Sequence, residues 1–174
     1  MNFNKFTNKA QEAIQEAVGI AQSNGQQVIE PAHIMGGVLK SSEQIISFLL
    51  QKSGCNINKV KNEINALIAS LPKVSGGEPY FSRESNKVIT KAEAIAKQYG
   101  DEFVSIEPLL VALIETESPT AKILNSNGAS KNELEKAIKE LRQGESVKSQ
   151  SAEENYQALE KYAINLNDAA KSGK

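Results

Sequence analysis

FTNKAQEAIQEAVGIAQSNGQQVIEPAHIMGGVL, residues 6–39, recurs in altered form as FSRESNKVITKAEAIAKQYGDEFVSIEPLLVALI, residues 81–114. A shift of 75 places sets Phe6 on Phe81, Thr7 on Ser82, Ile14 on Ile89, Ala17 on Ala92, Ala21 on Ala96 and Gly25 on Gly100. Beyond the glycine, Val28 and Ile29 fall on Phe103 and Val104, and Ile34 falls on Leu109. The matched apolar positions recur every three or four residues, the spacing of one buried helical face, and they end at a shared glycine stop. An offset this regular means a duplicated helical unit.

Working outward, Thr7 reads as the N-cap of a first helix, its hydroxyl taking one of the unpaired amides, with Gly25 as the left-handed stop. Pro31 suits the first turn of a second helix, where its missing amide has no partner in any case. Ser42 and Asn56 open a third and a fourth helix, and Pro72 ends the fourth. Pro72–Tyr80, PKVSGGEPY, reads as the joint between the copies. Ser82, Ser105, Ser118-Pro119 and Ser130 then open four more, Ser130 with Glu133 forming a capping box. No run of alternating β-branched residues is long enough to predict a strand. The sequence therefore predicts an all-α fold: a pseudo-twofold pair of four-helix repeats, copy one over 1–71 and copy two over 81–143. From Gly144 the chain turns polar, and 144–174 reads as a flexible linker leading into the start of a further module, with a short helix over 155–163.

A duplicated core of about 140 residues can bury enough surface to fold alone. Of the 174 residues, 24% are charged and 40% apolar, which is ordinary for a soluble globular chain, and the fragment reads as a monomer. The formal net charge of −1 gives no basic field to gather phosphates, so nucleic acid is not an expected partner. The longest apolar run, Leu109–Ile114, is far too short to cross a bilayer. Cys55 is the sole cysteine, which excludes an internal disulfide and suits a reducing compartment, with the cytoplasm as the default.

Catalytic chemistry finds little to stand on. His33 is the one histidine, and its counterpart in the second copy is Pro108, so it reads as a packed or hydrogen-bonded side chain; a hydrolase built on His33 is the competing reading. One histidine and one cysteine in different helices do not make a zinc site. Gly173-Lys174 echoes the tail of a phosphate loop, but the earlier glycine and the following hydroxyl are missing. The expected catalytic residues, metal ligands and cofactors of this chain are none.

The duplicated helices, with FTNKAQEAI at 6–14, VIEPAHIM at 28–35, LPKV at 71–74, GDEFVSIE at 100–107 and RQGESVKSQSAEENYQALEKYAINL at 142–166, resemble the N-terminal domain of the Clp family of ring-forming ATPase unfoldases, on its protein-disaggregase branch. The resemblance covers essentially the whole chain. It implies a full-length protein with two ATP-binding modules and a coiled-coil middle domain, assembled as a homohexamer, involved in the stress response and cooperating with the DnaK chaperone system. It implies for this domain the task of engaging exposed apolar stretches of unfolded or aggregated polypeptides and passing them to the hexamer pore. The alternative within the family is an adaptor-docking domain of a protease-coupled unfoldase.

Carried over residue by residue, the resemblance implies substrate-linked roles for Thr7, Asp101 and Glu107, and an apolar groove at Val88, Ile89, Ala92, Ile95 and Pro108. Pro108 stands where many relatives carry leucine or histidine, so the groove wall differs in shape here. Read without the family, Thr7 is a cap, Glu107 is a partner for the positive end of a helix, and Val88–Ile95 is a core stripe widened beyond what Ile89, Ala92 and Ala96 require; an exposed pair of Glu107 with Asp101 that positions a partner is the alternative. A shallow groove of this kind implies weak binding by a lone domain, about tens of micromolar, raised by avidity in a ring.

Overall fold

A computed structural model describes residues 2–74 and 76–156. The first helix, α1, spans Asn8–Ser23 and is capped as its sequence requires, the Thr7 hydroxyl accepting the Ala10 amide at 3.2 Å. Its inward stripe is Ala10, Ala13, Ile14, Ala17 and Ala21, small enough for the next helix to come close. Gly25 ends it with φ of 68°, a left-handed conformation that favours glycine. Helix α2, Pro31–Ser41, then packs on the alanine stripe so tightly that a Cβ on Gly37 would overlap the Ala13 carbonyl oxygen. Helices α3 (Glu43–Lys52) and α4 (Ile57–Ser70) complete the first copy, and α5 (Arg83–Gln98), α6 (Ile106–Glu115), α7 (Pro119–Ser126) and α8 (Lys131–Arg142) repeat the order.

The two copies interlock. Helix α3 packs on α8 and its counterpart α7 packs on α4, while α2 and α6 meet across the centre. Swapping the copies exchanges each pairing for its equivalent, which is the pseudo-twofold arrangement the duplication predicts. One continuous core of buried apolar side chains runs through both, from Phe6 and Ile46 to Leu110 and Leu134. No helix among the described residues is long and apolar enough to cross a membrane.

The structure adds two short β pairings that the sequence reading lacks. Strand β1 (Val28–Ile29) pairs in parallel with β2 (Tyr80–Phe81), setting Ile29 beside Phe81. An isolated parallel bridge sets Phe6 beside Val104. These are the same pairing seen from each copy, since Phe6 matches Phe81 and Ile29 matches Val104. The Thr7 amide donates to the Val104 carbonyl at 2.9 Å and the Ser82 amide donates to the Ile29 carbonyl at 3.0 Å. Two residues cannot show an alternating pattern, and each partner lies in the other copy, so no local signal marks them.

The expected linker is the larger correction. Residues 144–156 lie docked on the domain as a strap. Val147 is buried, its carbonyl accepts the Glu102 amide at 2.8 Å, and the Gln150 carbonyl accepts the Asn8 amide at 2.8 Å. The Gln150 amide group donates to the Asn4 carbonyl at 2.9 Å, and a short 3-10 helix follows over Ala152–Asn155. Composition misses this because main-chain groups, one valine and scattered polar side chains whose partners are distant in sequence do the anchoring. The helix expected over 155–163 lies, beyond its first two positions, outside the described residues.

Candidate functional site

Helix α8 ends on Arg142, where Gln143 (φ 52°) and Gly144 (φ 80°) turn the chain back across the domain. The Arg142 guanidinium meets Asp101 through two parallel hydrogen bonds, Nη1 to Oδ1 and Nη2 to Oδ2, each 3.0 Å. Its Nε donates to Glu107 Oε1 at 2.8 Å and Nη2 also donates to Ser105 Oγ at 2.9 Å. The planar fork is thus used on both edges, a geometry lysine could not reproduce. The strap closes the cluster. The Tyr156 hydroxyl donates to Glu107 Oε1 at 2.6 Å, the Val147 amide donates to Asp101 Oδ1 at 3.0 Å, and Glu153 Oε2 accepts the Ile106 amide at 3.0 Å. Glu153 thereby serves the open end of α6, whose N-cap Ser105 makes no capping bond of its own.

Electrostatics follow from this enclosure. Burial opposes the charge on Arg142, but Glu107 and Asp101 more than offset it and push its pKa up. Burial, then the charge of Glu107, pushes the Tyr156 hydroxyl up, so it stays a donor. Burial and the neighbouring Glu107 push Glu153 up to about 8, although the Ile106 amide, which donates to it, favours its charged form. On the far side, the guanidinium carbon lies 5.5 Å from the centre of the Tyr99 ring.

Thr7, Asp101 and Glu107 are therefore brought together, at one polar cluster between the start of α1, the start of α6 and the strap. The expectation of an exposed Asp101–Glu107 pair is corrected: both side chains have 0% exposure, because Arg142 reaches in from α8 and the strap covers them. The expected groove lining is corrected too. Val88 and Ile95 have 0% and 5% exposure, and Ile89 and Ala92 are buried beside them. Helix α5 packs against both α6 and α2, and serving two neighbours takes the wider apolar stripe that had suggested an open face. Pro108 is likewise buried, in the first turn of α6. What lies open near α5 is a groove on its opposite face, lined by Arg83, Lys87, Lys91, Ala94, Thr116 and Glu117 among others, with the Lys91 ammonium on the Glu115 carbonyl at 3.2 Å. Among the described residues the exposed large apolar side chains are Val74 and Tyr80, which sit in the joint at 50% and 54% exposure.

Three members of the cluster escaped the sequence reading. Arg142, Glu153 and Tyr156 stand in the polar stretch quoted over 142–166, where no local pattern marks them. A usable signal existed in the first copy. There Gln26 and His33 occupy the positions of Asp101 and Pro108, and they form the corresponding tie: His33 Nε2 donates to Gln26 Oε1 at 2.7 Å while Gln26 Nε2 donates to the Ile68 carbonyl at 2.6 Å. The same joint between the loop after the first helix, the second helix and the end of the fourth is thus made by neutral groups in one copy and by ions in the other. His33 Nδ1 accepts the Glu30 amide at 2.9 Å, so both ring nitrogens are engaged, and burial lowers its pKa to about 4. Cys55 is buried, and burial pushes its thiol pKa up.

Residues 5–127 match the family described as Clp repeat (R) N-terminal domain. Over all 174 residues the chain is 58% identical to the chaperone protein ClpB of Bacteroides thetaiotaomicron and 45% identical to that of Porphyromonas gingivalis, covering 20% of each relative. It therefore spans about a fifth of the length of these relatives. The crystal structure of the Hsp104 N-terminal domain from Candida albicans shares the fold, with a TM-score of 0.76 at 22% identity over 86% of this chain and 99% of that one. With the match running through the first copy and on into α7 of the second, the chain belongs to the Clp repeat N-terminal domain family.

Proposed function

We propose that this chain is the substrate-engaging N-terminal domain of an ATP-dependent protein disaggregase, contacting exposed apolar stretches of unfolded or aggregated polypeptides. The observation that carries this reading is the 58% identity to a ClpB chaperone over the full 174 residues. In the assembled protein we place the domain above a homohexameric ATPase ring in the cytoplasm, handing its guests to the pore in cooperation with the DnaK system. Guests would meet the open groove along α5, where Ala94 and the alkyl stems of Lys87 and Lys91 offer apolar surface beneath charged ends. Val88, Ile89, Ala92 and Ile95 then act from below by seating α5, and Pro108 by shaping the start of α6. Thr7, Asp101 and Glu107 act by holding the frame together rather than by touching a guest. Coverage of a shallow groove gains about 25 cal/mol per Å² of apolar area, less the cost of ordering the guest, which keeps binding weak and release easy.

Titrating the isotope-labelled chain with a reduced, carboxymethylated protein that cannot refold is the direct test. Amide shifts at Lys87, Lys91, Ala94 and Thr116 are the expected result. Shifts confined to Val74 and Tyr80 would move the guest site to the joint. Indifference to the unfolded protein, combined with tight binding to one folded adaptor, would overturn the substrate-engaging reading.

A further inference from the structure

The polar cluster carries an imbalance that its hydrogen bonds leave open. Glu153 Oε2 takes the Ile106 amide, but Oε1 is buried with no partner. Glu107 is in the same condition: its Oε1 accepts from both Arg142 and Tyr156, while Oε2 is buried and bare. Of the three buried side-chain polar atoms without a partner among the described residues, two are these carboxylate oxygens, on adjoining groups. A buried acceptor left without a donor is costly, and two in one cluster call for a shared remedy.

Charge points the same way. Asp101, Glu107 and Glu153 bring three carboxylates to one guanidinium. The neutral Thr7 hydroxyl lies near Glu153 at the start of α1 without a hydrogen bond to Oε1, and the neutral Tyr156 hydroxyl donates to Glu107 from the strap. On the open side lie Lys9 of α1, Lys40 of α2, Glu43 of α3 and Glu154 of the strap. Lys9 is directed to the Ser41 carbonyl at 3.4 Å and Lys40 to Glu16 at 3.0 Å, so neither offsets the buried charge. Among the described residues no group of three or more His, Cys, Asp or Glu side chains is arranged to hold a metal ion. A proton on Glu153 eases both, since it removes one charge and makes one of the bare oxygens a donor.

We propose that Glu153 docks as the carboxylic acid and that this proton latches the 144–156 strap onto the domain. Losing it to solvent places a second bare carboxylate beside Glu107, and undocking relieves the repulsion. The direction of pH control is set by the two states of one group. Docked, Glu153 holds its proton up to about pH 8, because of burial and the charge of Glu107; released, it returns to the ordinary value of 4.5. The latch is fully present below about 4.5, weakens as pH rises by up to about tenfold in the docking equilibrium per pH unit, and is spent above about 8. The strap is the way out of the domain, so the latch decides whether the chain leaves it from a fixed point or a swinging one.

Hydrogen exchange on the whole chain tests this, read at the Asn8 and Ile106 amides, which donate directly to Gln150 and Glu153 of the strap. Corrected for intrinsic exchange, their protection should fall about tenfold per pH unit between about pH 5 and 8. In Glu153→Gln, which keeps the shape and cannot titrate, protection should be independent of pH. Protection that stays flat in the unaltered chain, or a Glu153→Gln chain that responds to pH as the unaltered one does, overturns the proposal. Carbon NMR of the Glu153 carboxyl gives a check without any variant: a midpoint near 8 supports the latch, and one in the ordinary carboxyl range sinks it.

Discussion

Arg142 reaches from the last turn of α8 to hold Asp101 by two hydrogen bonds of 3.0 Å, with both side chains almost wholly out of water. Such a pair is poor evidence of stability by itself, because desolvation consumes much of the attraction, yet breaking it strands a charge. Arg142→Leu, which leaves Asp101 and Glu107 buried without their cation, should lose about 3–5 kcal/mol in urea unfolding followed by circular dichroism. Arg142→Lys should recover only part, as a point charge cannot serve two carboxylates along two edges. A loss below about 1 kcal/mol for Arg142→Leu would show that the cluster does not hold the domain together.

The Tyr156 hydroxyl lies 2.6 Å from Glu107 Oε1 and joins the strap to the same cluster. Tyr156→Phe removes one donor to a charged acceptor while Arg142 remains, so a loss of about 1–2 kcal/mol is expected. The same variant should raise exchange at the Asn8 amide, which the strap covers. Unchanged exchange there would mean that Tyr156 contributes nothing to docking.

Close approach of α1 and α2 rests on Gly37, where a Cβ would overlap the Ala13 carbonyl. Since the obstacle is backbone and not the end of a flexible side chain, Gly37→Ala must push the helices apart. A cost of about 1–3 kcal/mol is expected, and with it a melting temperature lower by roughly 3–10 °C in calorimetry. The second copy carries Ala112 at this position, so Ala112→Gly is expected to bring no comparable gain.

His33 gives an acid-side prediction. Burial holds its pKa near 4, below the ordinary 6.5 that it regains on unfolding. The unfolded chain therefore takes up a proton that the folded one refuses. Stability from this group is fully present above about pH 6.5 and is lost as pH falls towards 4, by about 3 kcal/mol in all. Glu153 works in the opposite sense over part of the same range, so the measurement is a comparison: His33→Gln should lose less than the unaltered chain between these two pH values. Equal losses would show that His33 does not set the acid limit.

The duplicated helices were legible because the period, the caps at Thr7 and Ser82 and the glycine stops are local, each decided by neighbours within a turn or two. What failed were particular contacts settled between distant segments. Val88 and Ile95 extended an apolar stripe, and a stripe has the same appearance whether a second helix or a guest covers it. Glu107 looked like a surface carboxylate because nothing near it in sequence announces Arg142 or Tyr156. The strap read as a linker because its main-chain bonds leave no trace in composition and its polar side chains, Glu153 and Tyr156 among them, have partners far away in sequence. The grouping of Thr7, Asp101 and Glu107, by contrast, rested on resemblance alone, and their meeting at one cluster has a physical basis only once the strap is in place.

The exchanged pairing of Phe6 with Val104 and of Phe81 with Ile29 has a consequence for the origin of the fold. Cut free at the joint, each half would expose a pairing edge whose natural complement is another half of the same kind. The architecture is thus that of a symmetric dimer written into one polypeptide, with the PKVSGGEPY segment joining its two halves. Within one polypeptide the two halves need not be identical, and here one closes its seam with a glutamine and a histidine and the other with an arginine.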